Sequence, residues 1–516
     1  MDFSAIQGLW GGLEVAIQPV NLLLCFVGVV LGTLVGVLPG VGPVVTISLL
    51  LPLTFGLDPV AALIMLAGIY YGAQYGGSTT AILLKLPGET SAVLTCLDGH
   101  EMAKQGRAAS ALGISAIGSF VAGIFGTLVV VMLAPVLVSV ALKFGPADYF
   151  SLMFVGLIAS VLVCQGGMLK AVAMIFVGLL LGIVGTDVYT GIARFSFGQP
   201  ELRDGVNFVV VAMGLFGFGE IIANLEQGTV DGKLAQKVRN AFPTRQDLRQ
   251  SWKPILRGTG IGAALGVLPG AGAAVGAFAA YAFEKKISRT PQRFGHGAIE
   301  GVVAPEAANN AAAQTNFIPL LTLGLPSGAV MALMAGAMMI HGIAPGPDVM
   351  TTRPELFWGL IASMLIGNVL LLFLNLNLIR VWVRVLQVPY ALLFPLILLL
   401  CSIGIYSLNN SVFDVGLTAL FGVLGYFFIK TGCEPAPLLM GFILGPMMEE
   451  YLRRALVLSH GDVTVFVTHP ISATLLGVAV LIITTLVWRP AATVFRKASG
   501  AAPAQPTTSI PADTGA

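Results

Sequence analysis

Two seven-residue stretches hold the residues best placed to do chemistry. Residues 36–42 read GVLPGVG and residues 266–272 read GVLPGAG, matching at six of seven positions 230 residues apart. Pro39 and Pro269 lack a backbone N–H and clash with the preceding helical turn, so a helix must kink or stop there. Gly40, Gly42, Gly270 and Gly272 permit backbone conformations that other residues avoid. A helix broken in this way frees backbone groups. N–H groups at the start of the next segment, with its dipole, suit an anion, and freed carbonyls suit a cation. Plain packing kinks would use the same residues, since Pro and Gly are common in membrane helices.

A second Pro-centred break follows each first one: Lys85-Leu86-Pro87-Gly88 and Gly324-Leu325-Pro326-Ser327. Polar clusters in apolar surroundings lie between the breaks. One runs from Tyr70 to Thr80 and includes Gln74, Ser78, Thr79 and Thr80. The other holds Glu306, Asn309, Asn310, Gln314, Thr315 and Asn316. Neutral hydroxyls and amides give a desolvated carboxylate hydrogen-bond donors without a fixed cation that would trap it. As interhelical glue, each such residue is worth only about 0.6 kcal/mol. Intramembrane charges are functional candidates, here Lys85, Glu89, Lys170, Asp187, Glu220, Glu306 and Asp414. Most sit at the ends of apolar runs, where snorkelling explains them equally well. Lys85 is placed to attract an anion. Glu306 and Asn310, with Gly40 and Gly270, are placed to hold a coupling cation.

These residues must be positioned by membrane helices. The 516-residue chain is 56% apolar and 10% charged, against about 25% charged in a soluble domain. Its mean hydropathy of +0.90 requires many spans of roughly 20 residues each. A net charge of +2 excludes a nucleic-acid partner, and five scattered Cys and five His show no metal-ligand spacing. The N-terminus lacks the basic region of a cleavable signal. Apolar runs fall near 20–38, 43–57, 59–84, 109–142, 149–165, 168–186 and 206–224. Further runs follow near 257–283, 301–323, 327–344, 355–379, 386–407, 411–430, 435–448 and 467–488.

The expected fold is therefore an all-α polytopic membrane protein with about 10 to 12 crossings, the shorter runs being re-entrant or discontinuous. Two structural repeats, residues 1–224 and 258–490, are expected in opposite membrane orientation with their broken helices facing one central site. Between them, residues 225–257 carry seven Lys or Arg against three acidic residues and are expected as a basic cytoplasmic loop. A cytoplasmic C-terminus and an external N-terminus follow from the same bias. Residues 491–516 end in a Pro/Ala/Thr-rich stretch and are expected as a disordered tail.

The residues also resemble the large permease subunit, TctA, of the tripartite tricarboxylate transporters. The resemblance covers about residues 10–450. GVLPGVG at 36–42, the block at 51–89, GVLPGAG at 266–272 and FGHGAIEGVVAPEAANNAAAQTNFIPLLTLGLP at 294–326 carry it. It implies a bacterial inner-membrane permease working with a small membrane subunit (TctB-like) and a periplasmic solute-binding protein (TctC-like). It further implies uptake of citrate, other di- and tricarboxylates or related acids, driven by a Na+ or H+ gradient. The chain has no GxxxxGK[ST] phosphate loop, consistent with a carrier that uses no ATP. Two readings of other classes compete. In one, Glu306, Asn309 and Asn310 serve an intramembrane enzyme, although no nucleophile–base pair accompanies them; in the other, the polar clusters line a passive channel.

Overall fold

In the computed structural model, residues 3–38, 42–86, 89–164, 167–187, 189–227, 242–268, 272–385 and 390–498 are described. The first half runs α1 (Phe3–Ala16), α2 (Pro19–Gly36), α3 (Pro43–Thr54), α4 (Pro59–Leu84), α5 (Val93–Lys104), α6 (Ala108–Ala141), α7 (Pro146–Val163) and α8 (Met168–Gly182). After a two-residue β-ladder, α9 (Phe208–Ala212), a π-helical turn (Met213–Phe218) and α10 (Gly219–Gln227) are continuous. The second half begins with α11 (Arg245–Gly266), α12 (Gly272–Ile287), α13 (Glu300–Thr315), α14 (Phe317–Leu323) and α15 (Ala329–Ile340). It continues through α16 (Asp348–Thr352), α17 (Pro354–Asn377), α18 (Ile379–Val385), α19 (Tyr390–Asn409) and α20 (Val412–Thr431). It closes with α21 (Pro435–Leu458), α22 (Val465–Thr468) and α23 (Pro470–Ala498). The protein is an all-α polytopic membrane protein. Among the described residues, five segments, Pro19–Gly36, Ala108–Ala141, Phe208–Glu226, Pro354–Asn377 and Val412–Thr431, are long and apolar enough to cross a bilayer by themselves.

Proline starts many of these helices, at the first position of α2, α3, α4, α7, α17 and α21, where its missing N–H costs nothing. Glycine then sets how closely they pack. A Cβ added to Gly28, Gly32 or Gly36 of α2 would lie 2.3 Å from the carbonyl oxygen of Met65, Ile69 or Ala73 of α4. In the second half, Cβ atoms on Gly258, Gly262 and Gly266 of α11 would lie 2.3, 2.0 and 2.7 Å from the carbonyl oxygens of Ala304, Ala308 and Ala312 of α13. The glycines recur 230 residues apart and their partners 239 apart, so the two halves repeat one unit with nine extra residues ahead of α13. Lys85 (φ 61°) and Gly324 (φ 71°), also 239 apart, cap α4 and α14 in the left-handed conformation. The Pro-centred breaks follow at once, and each leads to a 12-residue helix, α5 or α15.

Residue numbers rise together along α2 and α4, so these helices run parallel. The chain between them must double back, and α3, about 18 Å long, makes that return. Thus α2 and α3 form a hairpin in which α2 ends level with Ala73, and α11 and α12 form its counterpart, in which α11 ends level with Ala312. At the open end of the second hairpin, Arg257 clamps Glu284 through two hydrogen bonds of 2.6 and 2.8 Å, tying one arm to the other. The equivalent helices α4 and α13 lie antiparallel, because Tyr70, Gln74 and Ser78 meet Asn316, Asn309 and Glu306 in descending order. The repeats accordingly face opposite ways. α6 of the first repeat packs on α13 of the second, and α17 of the second packs on α4 of the first, as an inverted pseudo-twofold requires.

Three elements differ from the sequence expectation. Residues 245–257, expected within the basic loop, form the first turns of α11. Thr244 accepts from the Asp247 N–H and the Asp247 carboxylate accepts from the Thr244 N–H, a reciprocal cap that starts a helix despite its charge. The N-terminal stretch ahead of the first apolar run is helical too, and Gly8 and Gly12 let α1 settle on Trp358. At the far end, α23 extends through residues 491–498 of the expected tail, and 499–516 lie outside the described residues.

Residues 85–108, too polar to read as a span, contain α5 and an anchor. Asp98 is fully buried. One of its oxygens accepts from the N–H groups of Gly295, Gly297 and Ala298 at 2.8–2.9 Å, and the other accepts from the Tyr281 hydroxyl. A first-repeat carboxylate thereby orders the turn that launches α13. Asp98→Ala leaves these donors unpaired and is expected to destabilise the protein by about 3 kcal/mol or more, whereas Asp98→Asn, which keeps the acceptor, costs about 1. Thermal unfolding of the solubilised protein measures both.

Candidate functional site

The centre of the molecule is built from α4 and α13, which are unusual in being buried all round. Every residue from Ala61 to Leu83 and from Gly301 to Thr315 is buried. Ala and Gly make this possible by letting neighbours approach from every side, and the few polar side chains between them have no access to bulk water. Such groups must find partners inside the protein.

Glu306 is 1% exposed, and both its carboxylate oxygens are taken by first-repeat hydroxyls, Ser78 of α4 and Thr95 of α5. One turn further, Asn309 donates at 2.8 Å to Gln74 Oε1 and at 2.9 Å to Glu89 beside the first break. Glu89 also accepts from Ser91. Asn310 points elsewhere, donating at 2.8 Å to Ser119 of α6 and at 3.1 Å to the Glu306 carbonyl. Asn316 reaches the hairpin. With its amide oriented to satisfy both ends, it donates to the carbonyls of Gly266, the last residue of α11, and of Ala312, and it accepts from the Tyr70 hydroxyl. A polar seam therefore joins the repeats and reaches the end of α11 at Gly266 and Glu89 ahead of α5. No Lys or Arg is among the hydrogen-bond partners of Glu306 or Glu89 in the described residues. Beside the seam is a narrow crevice lined by Tyr75, Ser78 and Thr79 of α4, Ser115 of α6 and Asn375 of α17.

The structure distributes the sequence-predicted residues unevenly. Ser78, Glu306, Asn309, Asn310 and Asn316 meet in the seam, and Thr79 faces the crevice. Thr80 and Thr315 turn their hydroxyls back onto their own helices, to the carbonyls of Gly77 and Ala311, as buried threonines commonly do. Lys85 is exposed at the end of α4 and lies outside the seam. Gly42 caps α3 in extended conformation, its carbonyl accepting from the Thr46 N–H and hydroxyl, while Gly272 opens α12 at φ 62°, a conformation that calls for glycine. Pro39, Gly40, Pro269 and Gly270 lie outside the described residues. Thr95, Ser119 and Asn375 were missed by the sequence reading. Ser119 and Asn375 lie in long apolar helices outside the two polar clusters, and Thr95 lies in a stretch too polar to read as a span.

The arrangement suits reversible binding more than bond-making: carboxylates, amides and hydroxyls hold one another across two inverted halves, and no nucleophile–base pair appears among these contacts. Comparison with known proteins agrees with this architecture. The family model described as "Tripartite tricarboxylate transporter TctA family" matches residues 22–440. A relative from Agrobacterium vitis, named "Uncharacterized 52.8 kDa protein in TAR-I ttuC' 3'region", is 56% identical over 473 residues, covering 92% of this chain and 94% of that protein. A second from the same organism, named "Uncharacterized protein in TAR-II ttuC' 3'region", is 60% identical over 220 residues, covering 43% of this chain and 91% of that protein. No solved structure matches. The chain belongs to the tripartite tricarboxylate transporter TctA family, as a multi-pass membrane subunit of that transporter class.

Proposed function

We propose that this chain is the permease of a binding-protein-dependent secondary importer of tricarboxylates or related organic carboxylates, coupled to a cation gradient, in a bacterial inner membrane. A periplasmic solute-binding protein (TctC-like) delivers the anion and a small membrane subunit (TctB-like) completes the complex, as the tripartite family description suggests. One observation carries the reading: in two inverted hairpins, α2 and α11 end at the level of Ala73 and Ala312, beside a buried polar seam that spans both repeats. Broken helices meeting midway are how repeat-built carriers hold substrate and ion together.

In this reading the GVLPGVG and GVLPGAG turns, including Pro39, Gly40, Gly42, Pro269, Gly270 and Gly272, offer backbone groups to the carboxylates. Ser78, Thr79, Asn309 and Asn316 supply side-chain donors. Lys85, exposed at the end of α4, acts at the approach and not in the bound state. Moving each negative charge inward against about 100 mV costs roughly 2.3 kcal/mol, so at least one cation must travel with the substrate.

The test is uptake of radiolabelled citrate and other carboxylates into proteoliposomes holding the full complex, with the ligand-loaded binding protein outside. Accumulation above equilibrium on an imposed Na+ or H+ gradient, together with counterflow, is the expected result. Uptake that never exceeds equilibrium would mean a channel, and product formation without translocation would mean an enzyme.

A further inference from the structure

Several buried side-chain polar atoms in the described residues have no hydrogen-bond partner, and three of the residues that carry them lie against α6. Asn310 and Gln314 of α13 and Asn368 of α17 are all 0% exposed; Asn310 Oδ1, Asn368 Oδ1 and both amide atoms of Gln314, Oε1 and Nε2, are unpaired. For the two asparagines the orientation is fixed by the amide nitrogen. Asn310 donates to Ser119 Oγ and the Glu306 carbonyl, and Asn368 donates at 2.8 Å to the Met364 carbonyl. Their unpaired atoms are therefore acceptors.

All three converge on one face of α6. Ser119 holds Asn310. One turn along, a Cβ on Gly123 would lie 2.1 Å from Asn368 Oδ1, and on the next turn a Cβ on Gly126 would lie 2.9 Å from Gln314 Cβ. Positions four apart on a helix are about 6 Å apart, so the Asn310 and Asn368 amides and the Gln314 side chain line one short stretch of α6. Gly123 is what leaves room for the Asn368 amide there. One turn before Asn310, Glu306 brings a carboxylate whose hydrogen-bond partners are all neutral.

Buried acceptors without donors are costly unless something positive or hydrogen-donating sits among them. Amides do not titrate near neutrality, so a proton carrier would not be built from them. Divalent metals favour several carboxylates, and this cluster has only Glu306 close by. We propose that Ser119, Asn310, Gln314 and Asn368, around Gly123, form a binding site for a dehydrated Na+ whose charge is balanced by Glu306. This deepens the coupled-transport reading and rests on it for its role, naming the ion and adding Ser119, Gln314 and Asn368 to its ligands.

Binding is measured apart from transport. The purified chain with its partner subunit is equilibrated with radioactive sodium, and its unfolding temperature is compared in sodium, potassium and choline chloride. Saturable sodium binding and a sodium-specific rise on the order of a few degrees are expected. Asn368→Leu should abolish both, and Asn368→Asp, which keeps the oxygen and adds charge, should retain or tighten binding, so a poorly folding leucine variant leaves a second arm. No sodium binding by the wild type, or wild-type binding by Asn368→Leu, would overturn the site. Sodium binding without sodium-driven accumulation would support the site while refuting coupling by it. Accumulation driven by protons without sodium binding would refute the site and leave coupled transport standing.

Discussion

Gly262→Leu is expected to abolish the folded protein, and Gly32→Leu to do nearly the same. An added Cβ at Gly262 alone would lie 2.0 Å from the Ala308 carbonyl oxygen and 2.5 Å from its Cα, and backbone cannot rotate away as a side chain can. The rest of a leucine must also be housed, so α11 would have to lift off α13 along its length. Overpacking costs 1–3 kcal/mol where neighbours can yield, and here they are main chain on a buried helix, so the loss is on the order of 3 kcal/mol or more. Gly260, on another face of the same helix, has open space around its Cβ position, and Gly260→Leu serves as the control. Fluorescence-detected size-exclusion chromatography of membrane extracts reads all three. Normal monodisperse yield from Gly262→Leu would show that the helices are not held this closely.

Glu306→Ala is expected to lower uptake per folded molecule about a hundredfold, corresponding to roughly 2.7 kcal/mol. The carboxylate bonds Ser78 and Thr95 across the repeat boundary, and bonds to a charged group are worth about 1.5–3 kcal/mol each. Glu306→Gln separates bonding from charge, since its amide can accept from one hydroxyl and donate to the other. If the charge balances a cation, the glutamine variant fails in gradient-driven uptake as the alanine variant does. If Glu306 is only glue, folded yield falls while uptake per folded molecule stays normal, and glutamine restores both.

Much of the fold was legible because apolar runs and Pro/Gly punctuation coincide. The run expected at 59–84 is α4 itself, opened by the Asp58 cap and Pro59 and closed by the left-handed Lys85. α5 and the start of α11 were hidden for the opposite reason: their charges resemble loop until Asp98 is seen buried and Thr244 seen capping. Site residues were legible where polar groups cluster, as at 306–316. The cross-repeat partners were not, because Ser119 and Asn368 in apolar helices, and Thr95 in the polar stretch that holds α5, carry no mark of which helix each will meet. Inversion itself could be expected from the matching motifs but needed the descending order of contacts between α4 and α13 to become a geometric fact.

The return arm α3, about 18 Å long, has an electrical consequence. That length is a little over half of a roughly 30 Å hydrocarbon core, so in the proposed carrier a ligand held between the two hairpins would sit near the middle of the voltage drop. Each charge then feels only about half of the roughly 2.3 kcal/mol per 100 mV on the way in and the other half on the way out. Loading and release would share the burden evenly, and neither step alone would carry the full voltage dependence of turnover.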